Sequence, residues 1–265
     1  MSGRRGPLLA ALVLAACARP KPPPPAAPPP PPPLRVGVTS DMPPLAARQG
    51  SQLVGIEVDF ARALAQGLGR ALVLVDLPRR EQIPALLAGQ IDIAMAALDA
   101  GEPGEAPVAW SRPYLRSGLL LLVRRADAWR YPAAARVLAC RVRIGVVSGT
   151  VGEAFVGAHC PAMLVPYATA HDAVSDLGDG QIDALVAEAP VVAWFAAANE
   201  AELAPILDPL TTAALAWAMR PEDGTLRAAV DDALARWATD GTRDRILTRW
   251  MPYWRRLEAL LARGR

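Results

Sequence analysis

Two stretches of this chain spell the same local structure twice. Leu86-Leu87-Ala88-Gly89-Gln90-Ile91-Asp92 and Leu177-Gly178-Asp179-Gly180-Gln181-Ile182-Asp183 each read as the end of a helix, a glycine stop and the start of a strand. Around the first, residues 34–38 form an apolar strand-like run. Residues 58–68 place Phe60, Ala61, Leu64 and Leu68 at helical spacing before Gly69, residues 71–77 read as a strand, 82–88 as a helix and 91–96 as a strand. Around the second, residues 141–147 hold a strand, Gly149-Thr150-Val151-Gly152 opens a helix, residues 170–177 form another helix and 182–186 another strand. Strands separated by helices imply a parallel sheet covered on both faces. The pattern therefore predicts an α/β chain of two similar wound lobes, one after the other.

Two further apolar segments, residues 119–124 and 213–219, lie after the first and second rounds. They are expected to be the paired strands of a hinge, the chain crossing on the first and returning on the second. Helical patterning in residues 226–238 and 242–250 then packs back on the first lobe, with Trp237 and Trp250 in its core. The expected organisation is lobe 1 at residues 34–120 plus 219–254, lobe 2 at 124–213, and a C-terminal tail at 255–265.

The N-terminus reads as an export signal over residues 1–16. Arg4 and Arg5 precede an apolar stretch too short to span a bilayer. It ends in Leu14-Ala15-Ala16-Cys17, which resembles the lipobox of bacterial lipoproteins and implies cleavage before Cys17 and lipidation on it. Residues 17–33 are then a lipidated Cys and a linker of almost pure Pro and Ala. Such a segment favours extended polyproline II and would span roughly 50 Å at ~3.1 Å per residue. Export implies an oxidising compartment, in which Cys140 and Cys160 remain as a pair. Cys140 precedes a strand and Cys160 follows the next helix, which puts both at one edge of a βα unit. A Cys140–Cys160 disulfide or two buried thiols would fit.

About 230 residues remain to fold, enough for two lobes with real cores. Without Arg4 and Arg5 the formal charge of +2 falls to about zero, with no basic patch for nucleic acid. The two histidines, His159 and His171, sit at a helix end and a helix start, and no metal-ligand or Ser/His/Asp spacing is present. Neither a cofactor nor a metal is expected, and a monomer is.

An ordered set of motifs carries a family resemblance. It runs from Leu34-Arg35-Val36-Gly37-Val38 through Leu53-Val54-Gly55-Ile56-Glu57-Val58-Asp59-Phe60-Ala61, Ser111-Arg112-Pro113-Tyr114 and Ser117-Gly118. It continues with Ile144-Gly145-Val146-Val147-Ser148-Gly149-Thr150, Gly180-Gln181-Ile182-Asp183-Ala184 and Asp240-Gly241-Thr242. Over residues 34–254 the chain resembles family 3 of the bacterial extracellular solute-binding proteins, the polar-amino-acid type. The resemblance implies a two-lobed periplasmic-binding-protein fold, type II-like, whose lobes close on a small molecule and deliver it to an ATP-driven importer.

It also implies a site. Thr150 and Val151, at a helix N-terminus, stand where relatives hold a ligand carboxylate. Glu188 stands where they hold an ammonium group. Asp41 and Met42 follow the first strand, Arg79 falls near a usual aromatic, and Asp99 and Gly101 replace hydroxyl residues. Gly104 falls where the family has a carboxylate-binding Arg, so the fork that suits an α-carboxylate is missing. Asp99 and Glu188 on one cleft favour a cationic or amine ligand, with Arg79 and Arg112 as possible bases. Two other readings stay open: a sensor or accessory lipoprotein that acts through a partner protein, and a dehydratase-like enzyme using Glu188 as an acid.

Overall fold

The structure is a computed structural model and describes residues 30–100, 107–139 and 141–263. The chain begins with β1 (Leu34–Val38), followed by β2 (Asp41–Met42), β3 (Ala46–Gln49) and β4 (Gln52–Val54), which form a small antiparallel sheet. Helix α1 (Ile56–Gly67), β5 (Leu72–Asp76), α2 (Arg79–Leu87) and β6 (Ile93–Ala94) complete the first winding. Then come β7 (Ala109–Trp110), β8 (Leu115–Ser117) and β9 (Leu119–Arg124). The second winding is β10 (Ile144–Val147), α3 (Val151–His159), β11 (Leu164–Tyr167), α4 (Ala170–Gly178), β12 (Ala184–Glu188), α5 (Ala189–Ala198) and β13 (Leu203–Ile206). The chain returns through β14 (Ala213–Leu215) and β15 (Ala218–Met219) and ends in α6 (Gly224–Thr239), α7 (Thr242–Trp250) and α8 (Trp254–Arg263).

Two five-stranded sheets carry the lobes, in orders β5-β1-β6-β15-β7 and β11-β10-β12-β9-β13. In each, three parallel strands are followed by one that runs antiparallel to them, and the last strand, antiparallel to that one, runs with the first three again. The fourth strand of lobe 1 is β15, which arrives only after the whole of lobe 2. The fourth strand of lobe 2 is β9, the first element after the crossing. The two windings are thus the same topology, each completed by a strand that has just crossed over.

The crossing differs from the sequence expectation. Leu119–Arg124 is no hinge strand but the second strand from the edge of the lobe 2 sheet, with Leu119 to Val123 all buried. A run of five apolar residues demands cover on both faces, which a hinge does not offer. The hinge is the shorter pair β8 and β14, antiparallel with Leu115 opposite Leu215 and Ser117 opposite Ala213. Immediately beyond it, a Cβ on Gly118 would lie 2.0 Å from the Thr211 carbonyl, so only glycine lets the two crossing segments touch. Residues 255–263 of the expected tail are helical. They contribute to α8, whose Leu261 is 3% exposed and whose Glu258 pairs with Arg243 at 2.7 Å.

Lobe 1 is centred on Phe60, fully buried on α1. Its ring lies 5.6–5.7 Å from Tyr114, Trp217 and Trp237, and Tyr114 stacks on Trp217 at 5.2 Å. Each such buried side chain contributes about 1.5–3 kcal/mol. The ring of α1 thereby fastens the C-terminal helix α6 to the segment that leads into the hinge.

At the edge where the parallel strands begin, each lobe carries the same clamp. Asp92 accepts from the Arg35 backbone N–H at 2.9 Å and its guanidinium at 2.6 Å, while Arg35 also donates to the Gly89 carbonyl. Arg220 donates to the Ile91 and Leu86 carbonyls. In lobe 2, Asp183 accepts from the Arg143 N–H at 2.8 Å and its guanidinium, Arg143 donates to the Gly180 carbonyl, and Arg124 donates to the Ile182 and Leu177 carbonyls. The repeated Gly-Gln-Ile-Asp is therefore a fold device: the glycines turn with φ +70° and +76°, and the aspartates tie strand 1 to strand 3.

Candidate functional site

At the opposite edge, where the parallel strands end, the lobes face each other over a cavity of about 250 Å³ next to the hinge. Ala97 and Asp99 line it from lobe 1, Val151, Phe155 and Glu188 from lobe 2, and Ser117 from the hinge. Asp99 Oδ1 accepts from the Ala214 N–H at 3.3 Å, and its backbone bridges to Leu215, so the returning strand fixes this carboxylate. Glu188 is the last residue of β12 and the N-cap of α5, and is 3% exposed. The sheet thus ends by delivering a carboxylate into the cleft.

Lobe 2 presents α3 end-on. Thr150 caps this helix: its hydroxyl accepts from the Glu153 N–H at 3.4 Å and donates to the Val147 carbonyl at 2.7 Å. Glu153 reaches back to the N–H of Gly149, the residue before the cap, at 2.7 Å, and so ties the turn to the helix start. Of the expected pair, Val151 lines the cavity, while the Thr150 side chain is spent on the cap. A Cβ on Gly152 would come within 2.8 Å of the Val186 carbonyl, so this glycine lets the helix start lie against β12.

Arg79, at the start of α2, spans the lobes: Nη1 donates to the Gly149 carbonyl at 3.3 Å. It stands beside the Gly149 turn and does not line the cavity. Asp41 lies off the cavity, near Asp76, and its carboxyl is held above the usual range by burial and by the Asp76 charge. Asp76 is itself taken up by Ser40 and Arg48. Met42 is a correction: it is 4% exposed, belongs to the main hydrophobic core and does not line the cavity, as suits an unbranched apolar side chain. Gly101 and Gly104 lie outside the described residues, as do Cys17 and Cys140. Cys160 is disulfide-bonded.

Two residues escaped the sequence reading. Ser117 is 1% exposed on the cavity wall, and its Oγ has no hydrogen-bond partner among the described residues. Its only trace in the sequence is the Ser-Gly pair, whose position at the hinge is a tertiary fact. Glu57, in the first turn of α1, is also 1% exposed and accepts from the Ala97 N–H at 2.9 Å and the Tyr114 hydroxyl at 2.7 Å. Burial pushes its carboxyl above the usual range against these two hydrogen bonds and the charge of Arg79. Ala97 is the one non-glycine residue with positive φ among the described residues, at +52°, a conformation that costs roughly 1–2 kcal/mol for a residue with a Cβ.

Residues 34–253 match the model of the bacterial extracellular solute-binding proteins, family 3. The chain belongs to that family. It is 24% identical to the ABC transporter arginine-binding protein 1 of Escherichia coli K12, over 83% of this chain and 90% of that protein. It is 26% identical to the histidine-binding periplasmic protein of Salmonella typhimurium, over 83% and 88%. Among solved structures, an amino acid ABC transporter substrate-binding protein from Streptococcus pneumoniae bound to L-arginine superposes with a TM-score of 0.74 at 27% identity, covering 83% of this chain and 93% of that one. An ancestral amino acid-binding protein described as a precursor of cyclohexadienyl dehydratase gives 0.74 at 28%, covering 82% and 95%. The solute-binding family and the two-lobed fold are therefore established together.

Proposed function

We propose that this member of the family captures a small cationic or amine-containing solute by lobe closure and hands it to an ABC-type importer. The observation that carries the reading is the pair Asp99 and Glu188, one from each lobe, on the wall of a single cavity. A cation held between them contacts both lobes only when these are closed, so binding shifts the population toward the closed form. The relatives named for arginine and histidine, and the L-arginine complex, point to the same class of ligand. Ser117 offers an additional hydroxyl, and the N–H groups at the start of α3 suit an anionic group on the ligand. Arg79 adds a bond from lobe 1 to lobe 2 once the lobes meet. The working location is the periplasm, with Cys17 as lipid anchor, the Pro-rich linker as spacer and Cys140 paired with Cys160.

The test is thermal shift followed by calorimetry with L-arginine, L-lysine, L-histidine, putrescine, L-glutamate and glucose. A cationic compound should raise Tm, since a ligand at one hundred times its Kd adds about 2.7 kcal/mol. D99N and E188Q should each abolish that shift without lowering the Tm of the free protein by a comparable amount. A response to glutamate or glucose alone would refute the cationic reading.

A further inference from the structure

We infer that Glu57 is a positioning residue of the cleft, holding residue 97 in its left-handed conformation and so aiming the segment from Ala97 to Asp99 at the cavity. The inference rests on the binding site proposed above but adds a residue that does not line the cavity. One oxygen, Glu57 Oε1, receives both the Ala97 N–H and the Tyr114 hydroxyl. The carboxyl comes from the first turn of α1, whose path is set by Phe60 and its aromatic neighbours. Tyr114 in turn leads into hinge strand β8 and stacks on Trp217, which precedes β15. Glu57 therefore joins three things at one atom: the rigid core of lobe 1, the approach to the hinge, and the turn that carries Asp99.

The turn needs such a hold. Ala97 follows β6 in the sheet-ending loop, and its Cβ disfavours the conformation it adopts. On the other side the segment is pinned by the Ala216 N–H to the Leu98 carbonyl at 2.9 Å and by the Ala214 N–H to Asp99. Both of those partners belong to the segment returning from lobe 2, Ala214 in β14 and Ala216 just after it. Only Glu57 fixes residue 97 from lobe 1 itself, among the described residues.

The chemistry of the hold makes it separable from charge. A glutamine at this position keeps an oxygen able to accept both donors, while a leucine keeps the bulk and removes the acceptor. Amide exchange of residues 95–100 and the affinity for L-arginine are measured in E57Q, E57L and E57L/A97G. E57L should speed exchange of residues 95–100 by about tenfold with residues 34–38 unchanged. It should also weaken L-arginine by about tenfold through lost preorganisation. E57Q should do neither, and glycine at residue 97, which accepts the left-handed region freely, should restore much of the affinity. If E57L does not fold, slow exchange of the Ala97 amide in the wild-type protein carries the test. Exchange rising equally throughout lobe 1, E57L/A97G regaining no affinity over E57L, E57Q behaving as E57L, or a fast Ala97 amide overturns the inference. Should the wild-type protein ignore L-arginine, the cationic reading fails for that probe while the exchange measurement still decides the role of Glu57.

Discussion

At the edge where the strands start, Arg35, Asp92, Gly89 and Arg220 of lobe 1 have counterparts in Arg143, Asp183, Gly180 and Arg124 of lobe 2, bonded in the same way. At the edge where the strands end, nothing corresponds. Lobe 1 offers a left-handed alanine over a buried glutamate, with Asp99 beyond it; lobe 2 offers a capped helix start and Glu188. Scaffolding is duplicated where the lobes only need to be stable, and it diverges where they meet the ligand. This is the edge at which wound α/β sheets bind their ligands. The contrast separates residues whose loss should cost stability from residues whose loss should cost binding.

The largest effect is expected at the duplicated edge, and it should be unequal. The Asp92 side chain is 9% exposed and faces Arg35, Arg70 and Arg220; the Asp183 side chain is 19% exposed and faces Arg143 and Arg124. D92A leaves more charge behind in a drier place, so it should cost about 2–3 kcal/mol, against about 1–1.5 kcal/mol for D183A. Urea unfolding of both variants checks this. Neither should change affinity for a ligand that still binds the folded protein. A D183A variant that binds more weakly while unfolding normally would break the division between edges.

Acid sharpens the same comparison. Burial works to raise both Asp92 and Asp183, but hydrogen bonds from the backbone N–H and the guanidinium of Arg35 and of Arg143 hold both below the usual carboxylate range. A depressed folded-state pKa contributes stability that is present above the unfolded value of 3.8 and is lost as pH falls through the folded value. The gap between wild type and D92N should therefore stay constant near neutrality and close below about pH 4. A gap that persists unchanged at pH 3 would show that Asp92 acts through shape rather than charge.

A smaller effect belongs to the capped helix start. T150A removes the acceptor for the Glu153 N–H and should cost about 1 kcal/mol, whereas T150S should be nearly neutral. T169A, which strips the corresponding cap from α4, should cost the same. The two differ in position: Thr150 stands beside the cavity and Thr169 does not. Calorimetry should find ligand affinity altered in T150A and untouched in T169A.

How much of this was legible before the fold was known follows the same division. The duplicated edge has a local signature, since a glycine stop and an aspartate start lie within a few residues of each other. Val151 and Glu188, which the resemblance singles out at two element ends, line one cavity. The return segment of the hinge, within residues 213–219, is β14, but the outgoing one is not residues 119–124: three ordinary residues, Leu115-Arg116-Ser117, make that crossing, and nothing in their sequence marks it. Helix α5 was invisible because it is apolar nearly all round, so its sequence shows no period. In the sequence Glu57 is one residue of the Leu53–Ala61 motif, just before the helical pattern, and an acidic residue at a helix start is what the dipole favours in any exposed helix. Its burial, and its oxygen beneath residue 97, exist only once β6 and the hinge are in place.

The smallest effect tests that residue by the sign of its pH dependence. Burial raises Glu57 above its ordinary value of 4.5, the opposite of the two clamp aspartates, although Ala97, Tyr114 and Arg79 all favour its charged form. A raised folded-state pKa contributes stability that is fully present below the unfolded value and is lost as pH rises through the folded one. Wild-type protein should therefore lose this contribution as pH climbs above about 4.5, while E57Q, with no proton to release, should not. The stability difference, E57Q minus wild type, should rise with pH and level off, just as the difference for D92N falls and levels off. Unfolding curves at half-unit steps from pH 3.5 to 8 would show two slopes of opposite sign from two carboxyls of one lobe. Parallel slopes would mean that Glu57 is ionised without cost, and that the cleft edge and the clamp edge are built on the same electrostatic terms after all.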